Sequence, residues 1–188
     1  MKEAADALRQ AGIQVGAVSI PALERDNPFE LFARQHVMEM KPVMQQVTAG
    51  HEDQMFTYSK TMLATPDTPV KDYVSAGEGT ERLQDGFAEY FRRYDALLLP
   101  VTSIPAHAHG LTQYTIDGQT VNAFKLMTPT VPFNLTGLPA LAMRFATSSD
   151  GMPIAVQLAA NSHAESTILH VASLLESLSP VRDQHPAL

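Results

Sequence analysis

Residues 133–141 read FNLTGLPAL. A run this apolar belongs inside a protein, yet it carries Asn134, Thr136, Gly137 and Pro139, residue types that mark turns and surfaces. Both properties have to be served at once. Immediately downstream, PALAMRF (139–145) and PIAVQLAA (153–160) are two apolar runs separated by TSSDGM, in which Asp150-Gly151 is a turn signature. The pair reads as two strands buried on both faces and joined by a hairpin or tight connection. Ser162 and Glu165 have the spacing of a capping box, and Ile168, Val171, Ala172 and Leu175 follow at helical periodicity, which predicts a closing helix packed on the sheet. Beyond Pro180, VRDQHPAL has nothing to bury and is expected to be a flexible tail over 181–188.

Upstream, Phe124, Met127 and Thr130 lie at i, i+3 and i+6 of a helix expected to lead into Asn134. YTIDGQTV (114–121) predicts a hairpin around Asp117-Gly118. VTSIPAHAHG (101–110) suits neither helix nor regular strand. YDALLLP (94–100) reads as a short buried strand, preceded by a helix whose apolar side carries Leu83, Phe87, Tyr90 and Phe91. The proline-containing ATPDTPV separates that helix from a second helical stretch around 55–63. Asn27 and Pro28 make a helix start, Phe29, Phe32, His36 and Met40 share a face, and Pro42 should bend or stop the helix. At the beginning, residues 3–9 suit a helix ended by Gly12, and IQVGAVSI (13–20) supplies a β-branched run for a strand. Met1 falls inside or immediately before that first helix, as if an earlier part of the protein preceded it. The expectation is one partial α/β domain over 1–180.

Composition narrows the function classes. Across 188 residues, 45% hydrophobic and 18% charged is a globular balance rather than a disordered one. A net charge of -7 with only 13 Lys plus Arg leaves no basic face for phosphates, so nucleic acid is not an expected partner. No segment approaches the ~18 apolar residues of a membrane span, and no apolar signal core is present. A cytoplasmic chain without a membrane partner is the default expectation. With no cysteine there is neither a disulfide framework nor a thiolate nucleophile.

Nucleophilic catalysis needs a serine beside a base and backbone amides that receive an oxyanion, in loops usually rich in glycine. No two glycines are adjacent in this sequence, and Ser148-Ser149 belongs to the turn signature. His107 and His109 have the spacing of a strand-borne metal pair but lack a third ligand at the right distance in sequence, and no phosphate-cradling glycine pattern occurs. The expectation is therefore no catalytic residue, no metal and no cofactor. Gln157, the polar residue inside PIAVQLAA, must either tie neighbouring backbone together or face a pocket, because a buried amide without partners costs a few kcal/mol.

Taken in order, YDALLLPVTSIPA, TVPFNLTGLPAL, SSDGMPIAVQL and HAESTILHVASLLE resemble the C-terminal part of the amidase signature family. The matching residues are Asp95, Pro100, Thr102, Pro105, Asn134, Gly137, Pro139, Ala140, Asp150, Gly151, Pro153, Gln157 and Glu165. The resemblance is close from 83 to 176 and looser from 1 to 18. It implies an α/β fold with a mixed β-sheet flanked by helices, in which FNLTGLPAL links a helix bordering the substrate pocket to a central strand. It implies hydrolysis of linear carboxylic amides by a Ser-Ser-Lys triad, which in the family lies upstream of the matched part and has no counterpart here. This chain alone is then expected to be inactive. A small-molecule amide would bind only together with the missing catalytic part, and self-association is the other expected contact.

On the same resemblance, Phe124, Met127 and Thr130 are the expected pocket-lining residues, with Thr102 a further substrate-binding candidate. The glutamine-hydrolysing branch of the family carries an aspartate at the position aligned with Met127, where it holds an ammonium group. Arg144 stands where a proline is usual, and Ala146, Ala155 and Ala160 stand where glycine is usual. An arginine there needs a carboxylate or solvent.

Overall fold

A computed structural model describes residues 1–108 and 110–184. Helix α1 (Lys2–Gln10) buries Ala4, Ala7 and Leu8 on one face and ends where Gly12 takes a φ of 85°. The strand expected over 13–20 does not form. The segment has no regular secondary structure and pairs with no strand among the described residues, and the Arg9 guanidinium donates to the Val15 carbonyl (3.2 and 3.1 Å) instead. β-branched residues favour an extended backbone, but a strand also needs a neighbouring backbone to pair with.

A short helix, α2 (Pro21–Arg25), leads to α3 (Pro28–Thr48), opened by Asn27, whose side chain accepts from the Phe29 amide at 3.1 Å. Pro42 does not stop α3. Proline has no N–H, so one backbone hydrogen bond is lost there, but Lys41 Nζ ties the helix to the Thr65 carbonyl (2.7 Å) and Asp67 (2.6 Å) on the segment after α4 (Thr57–Ala64). Tertiary anchoring outweighs the single missing bond. Helix α5 (Val70–Tyr90) buries Ala76, Gly79, Leu83 and Phe87. A Cβ at Gly79 would stand 2.6 Å from Leu31, and one at Gly86 would collide with the Cβ of Ala22, so these glycines set how closely α5 approaches α3 and α2.

Strand β1 (Leu97–Pro100) is followed by an irregular segment and a hairpin of β2 (Gln113–Ile116) and β3 (Gln119–Asn122), turned by Asp117 and Gly118 with positive φ at both. A 3-10 turn (Ala123–Met127), α6 (Val131–Thr136), β4 (Ala140–Thr147), β5 (Pro153–Ala159) and α7 (Glu165–Ser177) complete the chain. The main sheet has the order β1-β5-β4, with both pairings antiparallel and a bulge in β4 between Arg144 and Ala146.

The central β5 explains the apolar run PIAVQLAA. Val156 and Leu158 face a core built with α1 and α7, including Leu8, Phe145, Ile168 and Leu175. Ala159, on the other face, joins Leu83, Phe87 and Phe133 of α5 and α6. With helices on both faces, side chains of either parity are buried. β4 lies at the edge and is less covered than expected: Ala140 and Ala142 are exposed.

The capping box expected before the last helix does not form. Glu165 is the first residue of α7 and Ala164 precedes it, so Ser162 is too early to cap the helix and no side chain does. Nor is the beginning of the tail free. Val181 is buried, and the Arg144 guanidinium donates to the Gln184 backbone carbonyl (3.3 Å) and side-chain oxygen (3.0 Å). Arg144 thus finds neither the carboxylate nor the full solvation expected of it, and its Nε is buried without a partner. Residues 185–188 lie outside the described part.

Candidate functional site

FNLTGLPAL is a helix end folded directly into a strand. Within α6 the Thr136 hydroxyl donates to the Pro132 carbonyl (2.7 Å), which lets a threonine sit in a buried position. Gly137, at φ 70°, closes the helix with its amide donating to Phe133 O (2.9 Å), and the Ala160 amide then donates to Pro139 O (3.1 Å) as β4 begins. The Phe133 ring packs on Phe87 of α5 at a centroid distance of 5.6 Å. Thr136, Gly137 and Pro139 thus close backbone, Asn134 is exposed, and Phe133, Leu135, Leu138 and Leu141 pack on the two cores.

Gln157 is 4% exposed, and its Nε2 donates to Pro100 O (3.2 Å) and Pro129 O (2.9 Å). Of the two roles open to it, it performs the first: it joins the end of β1 and the turn before α6 to the middle of β5. The Ser103 amide donates to Leu126 O (3.1 Å) in the same junction.

No single helix runs from Phe124 to Asn134. Phe124 and Met127 sit in the 3-10 turn, whereas Thr130 precedes α6 with its hydroxyl donating to Met127 O at 2.8 Å. Thr102 is exposed, and its hydroxyl donates to Ile104 O (2.7 Å). Met127 is 46% exposed. Of these four residues only Phe124 lines the largely apolar cavity of about 330 Å³ between α3, α4 and the 3-10 turn. Phe29, Phe32, His36 and Tyr58 line it with Phe124. The shared face of Phe29, Phe32 and His36 is visible in the sequence, but nothing there brings Tyr58 or Phe124 to it.

Inside this cavity the Tyr58 hydroxyl and His36 Nε2 are hydrogen-bonded at 2.7 Å. Burial holds the His36 pKa below that of free imidazole, against a smaller upward pull from Glu39, and burial also raises that of Tyr58. Both groups are therefore neutral at pH 7. Elsewhere, among the described residues, no serine hydroxyl is hydrogen-bonded to a histidine ring or a lysine amine. No three His, Asp or Glu side chains among the described residues could hold a metal ion. His107 packs edge-on against Tyr114 (4.5 Å), while His109 lies outside the described residues. No helix among the described residues is long and apolar enough to cross a membrane.

A solved amidase superposes on 95% of this chain and 41% of its own length, with a TM-score of 0.81 and 26% identity. A glutamyl-tRNA(Gln) amidotransferase subunit from Bdellovibrio bacteriovorus is 33% identical over 120 residues, which are 61% of this chain and 22% of that protein. A fatty acid amide hydrolase from Medicago truncatula is 33% identical over 118 residues, 61% of this chain and 19% of that protein. The chain thus spans less than a quarter of the length of these curated relatives. The Amidase family model matches residues 1–169, through the first six helices, all five strands and the start of α7, and the chain belongs to the amidase signature family.

Proposed function

We propose that this chain is the C-terminal portion of an amidase acting on neutral linear carboxylic amides in the cytoplasm, and that it contributes one wall of the substrate pocket but not the nucleophile. The observation that carries this reading is the Gln157 junction. There one buried amide holds together the end of β1, the turn leading into FNLTGLPAL and the DGMP strand, the motifs on which the family resemblance rests. Thr102, Met127 and Thr130 border this junction in sequence and are the proposed contacts to the substrate, with Phe124 beyond them. The absence of a serine paired with a base, among the described residues, supports assigning the attacking group to another part of the protein.

The relatives named as amidotransferase subunits favour a second reading, a portion of a glutamine-hydrolysing subunit that works with partner chains. Met127 argues against it. A thioether cannot pair with the ammonium of glutamine, whereas a polarisable, flexible side chain suits an uncharged acyl or aryl group. The test joins this chain to the catalytic part of a family member and compares a neutral aliphatic amide with glutamine. The unaltered enzyme should prefer the neutral amide. Met127→Asp should lower neutral-amide kcat/KM at least tenfold, since a desolvated carboxylate costs several kcal/mol, and should raise glutamine relative to it. Equal handling of both substrates before and after the change would remove Met127 from the pocket.

A further inference from the structure

A second crevice, of about 240 Å³, lies where the last turns of α5, the end of α6 and the segment leaving β5 meet. Gln84, Asp85 and Ala88 line it from α5, Thr136 and Leu138 from the end of α6, and Asn161 and Ser162 from beyond β5. Thr136 is 9% exposed and gives its hydroxyl proton to Pro132 O (2.7 Å), so its oxygen has only lone pairs left to offer. At the exposed rim, Asn161 Oδ1 is taken by the Ser162 amide (2.9 Å). The acceptors left for a ligand are the Asp85 carboxylate, the Gln84 amide oxygen and the hydroxyl oxygens of Thr136 and Ser162. Asp85 is the one charged residue in the lining, and no ion pair among the described residues uses it. The nearby arginines are committed elsewhere: Arg82 to Asp26 (2.7 Å), Arg92 and Arg93 to Glu89 (3.1 and 3.2 Å). Glu81 and Glu89 stand one helical turn before and after Asp85, a spacing at which like charges repel and a bound cation gives relief.

We propose that this crevice binds the ammonium group of a small primary alkylamine. Three N–H donors on one positive charge match a set of acceptors made of one anion and several neutral oxygens. Ala88 and Leu138 supply apolar surface for the first carbons of the chain. Other charged ligands fit less well. An anion would meet a carboxylate and no base. A quaternary ammonium has no N–H to give and is recognised by aromatic faces, of which the lining has none. A calcium-like ion asks for six or more oxygens drawn chiefly from carboxylates and carbonyls, and one carboxylate does not meet that demand. None of the lining residues is among the proposed substrate contacts, and the crevice lies at the opposite end of α6 from Pro129 and the Gln157 junction. The site therefore stands or falls apart from the hydrolytic reading above.

The test is saturation-transfer difference NMR on the unaltered chain at pH 7 and low salt, a method that reads the ligand and works equally on an associated protein. The probes are n-butylammonium, butan-1-ol, tetramethylammonium and butyrate. Butylammonium should saturate, and each of the other three should bind at least fivefold more weakly. Asp85→Asn removes the charge from an exposed side chain that makes no ion pair, so the fold is kept, and butylammonium should weaken at least fivefold. Asp53→Asn, at an exposed carboxylate outside the crevice, should leave its affinity unchanged. The comparison of probes needs no variant to fold. Absence of saturable butylammonium binding would overturn the proposal, as would butan-1-ol or tetramethylammonium binding equally well. So would full affinity in Asp85→Asn, or an equal loss in Asp53→Asn, which would reveal the diffuse field of an acidic chain instead of a site.

Discussion

Gln157 shows what one residue reveals before and after its surroundings are known. A glutamine inside PIAVQLAA announces a buried amide with unmet needs, and that much is legible in the sequence. Its partners are not, because Pro100 and Pro129 come from segments 57 and 28 residues away and only the folded chain brings their carbonyls to one point. Replacing it by leucine removes the donor to both carbonyls and sets an apolar side chain beside them. The expected cost is about 1–3 kcal/mol. In thermal unfolding followed by circular dichroism, Gln157→Leu should melt roughly 2–10 °C lower. An unchanged midpoint would mean that the junction contributes nothing to stability. Met127, Thr130 and Thr102 illustrate the opposite limit. Their helical spacing or motif position is plain, but a turn at 128–130, carrying Pro129, divides the expected helix in two, and spacing alone cannot foresee that break.

At the scale of elements, the strongest signals were those in which burial leaves a periodic or continuous trace. β5 and α7 are examples, as is the Asp117-Gly118 hairpin, whose turn chemistry is local. Signals that depend on a partner failed: the 13–20 run has strand composition but no neighbouring strand, and α3 survives Pro42 because Lys41 is tied elsewhere. The clamp between α2 and α5 belongs to this second kind. Asp26, buried at the end of α2, accepts from Arg82 of α5 (2.7 Å) and from Arg25 (2.8 Å), and the Arg82 hydrogen bond above all holds its carboxyl below the usual range despite burial. A carboxyl with a depressed pKa stabilises the fold above its unfolded value of about 4, and that contribution is lost as pH falls through the folded value. Asp26→Asn should therefore lower the melting midpoint at pH 7 by something on the order of 5 °C. The gap between variant and parent should narrow as the pH is taken below the unfolded value of about 4 and down through the folded one. A gap that stayed constant across this range would show that the charge is not what matters.

For the whole molecule, two cores back to back on a three-stranded sheet leave both outer edges, β1 and β4, without a strand partner among the described residues. Apolar side chains also stand in the open along the later turns of α3 and around α4, among them Val43, Val47 (70% exposed) and Phe56 (83% exposed). Unpaired edges and exposed apolar patches of this kind are covered in stable proteins. The isolated chain should thus self-associate, or melt early and with little cooperativity, in size-exclusion and thermal measurements. A monodisperse monomer with a high, sharp transition would contradict that. α/β architecture and the four family motifs were readable along the chain because they recur as local patterns. The aromatic cavity was not, since its walls come from three separate elements. The central claim is that this chain supports amide chemistry without performing it. Hydrolysis of simple aliphatic and aryl amides by the purified 188-residue chain tests that most directly. No turnover above the uncatalysed rate is predicted, and turnover that is abolished by a serine-directed inhibitor would contradict the account.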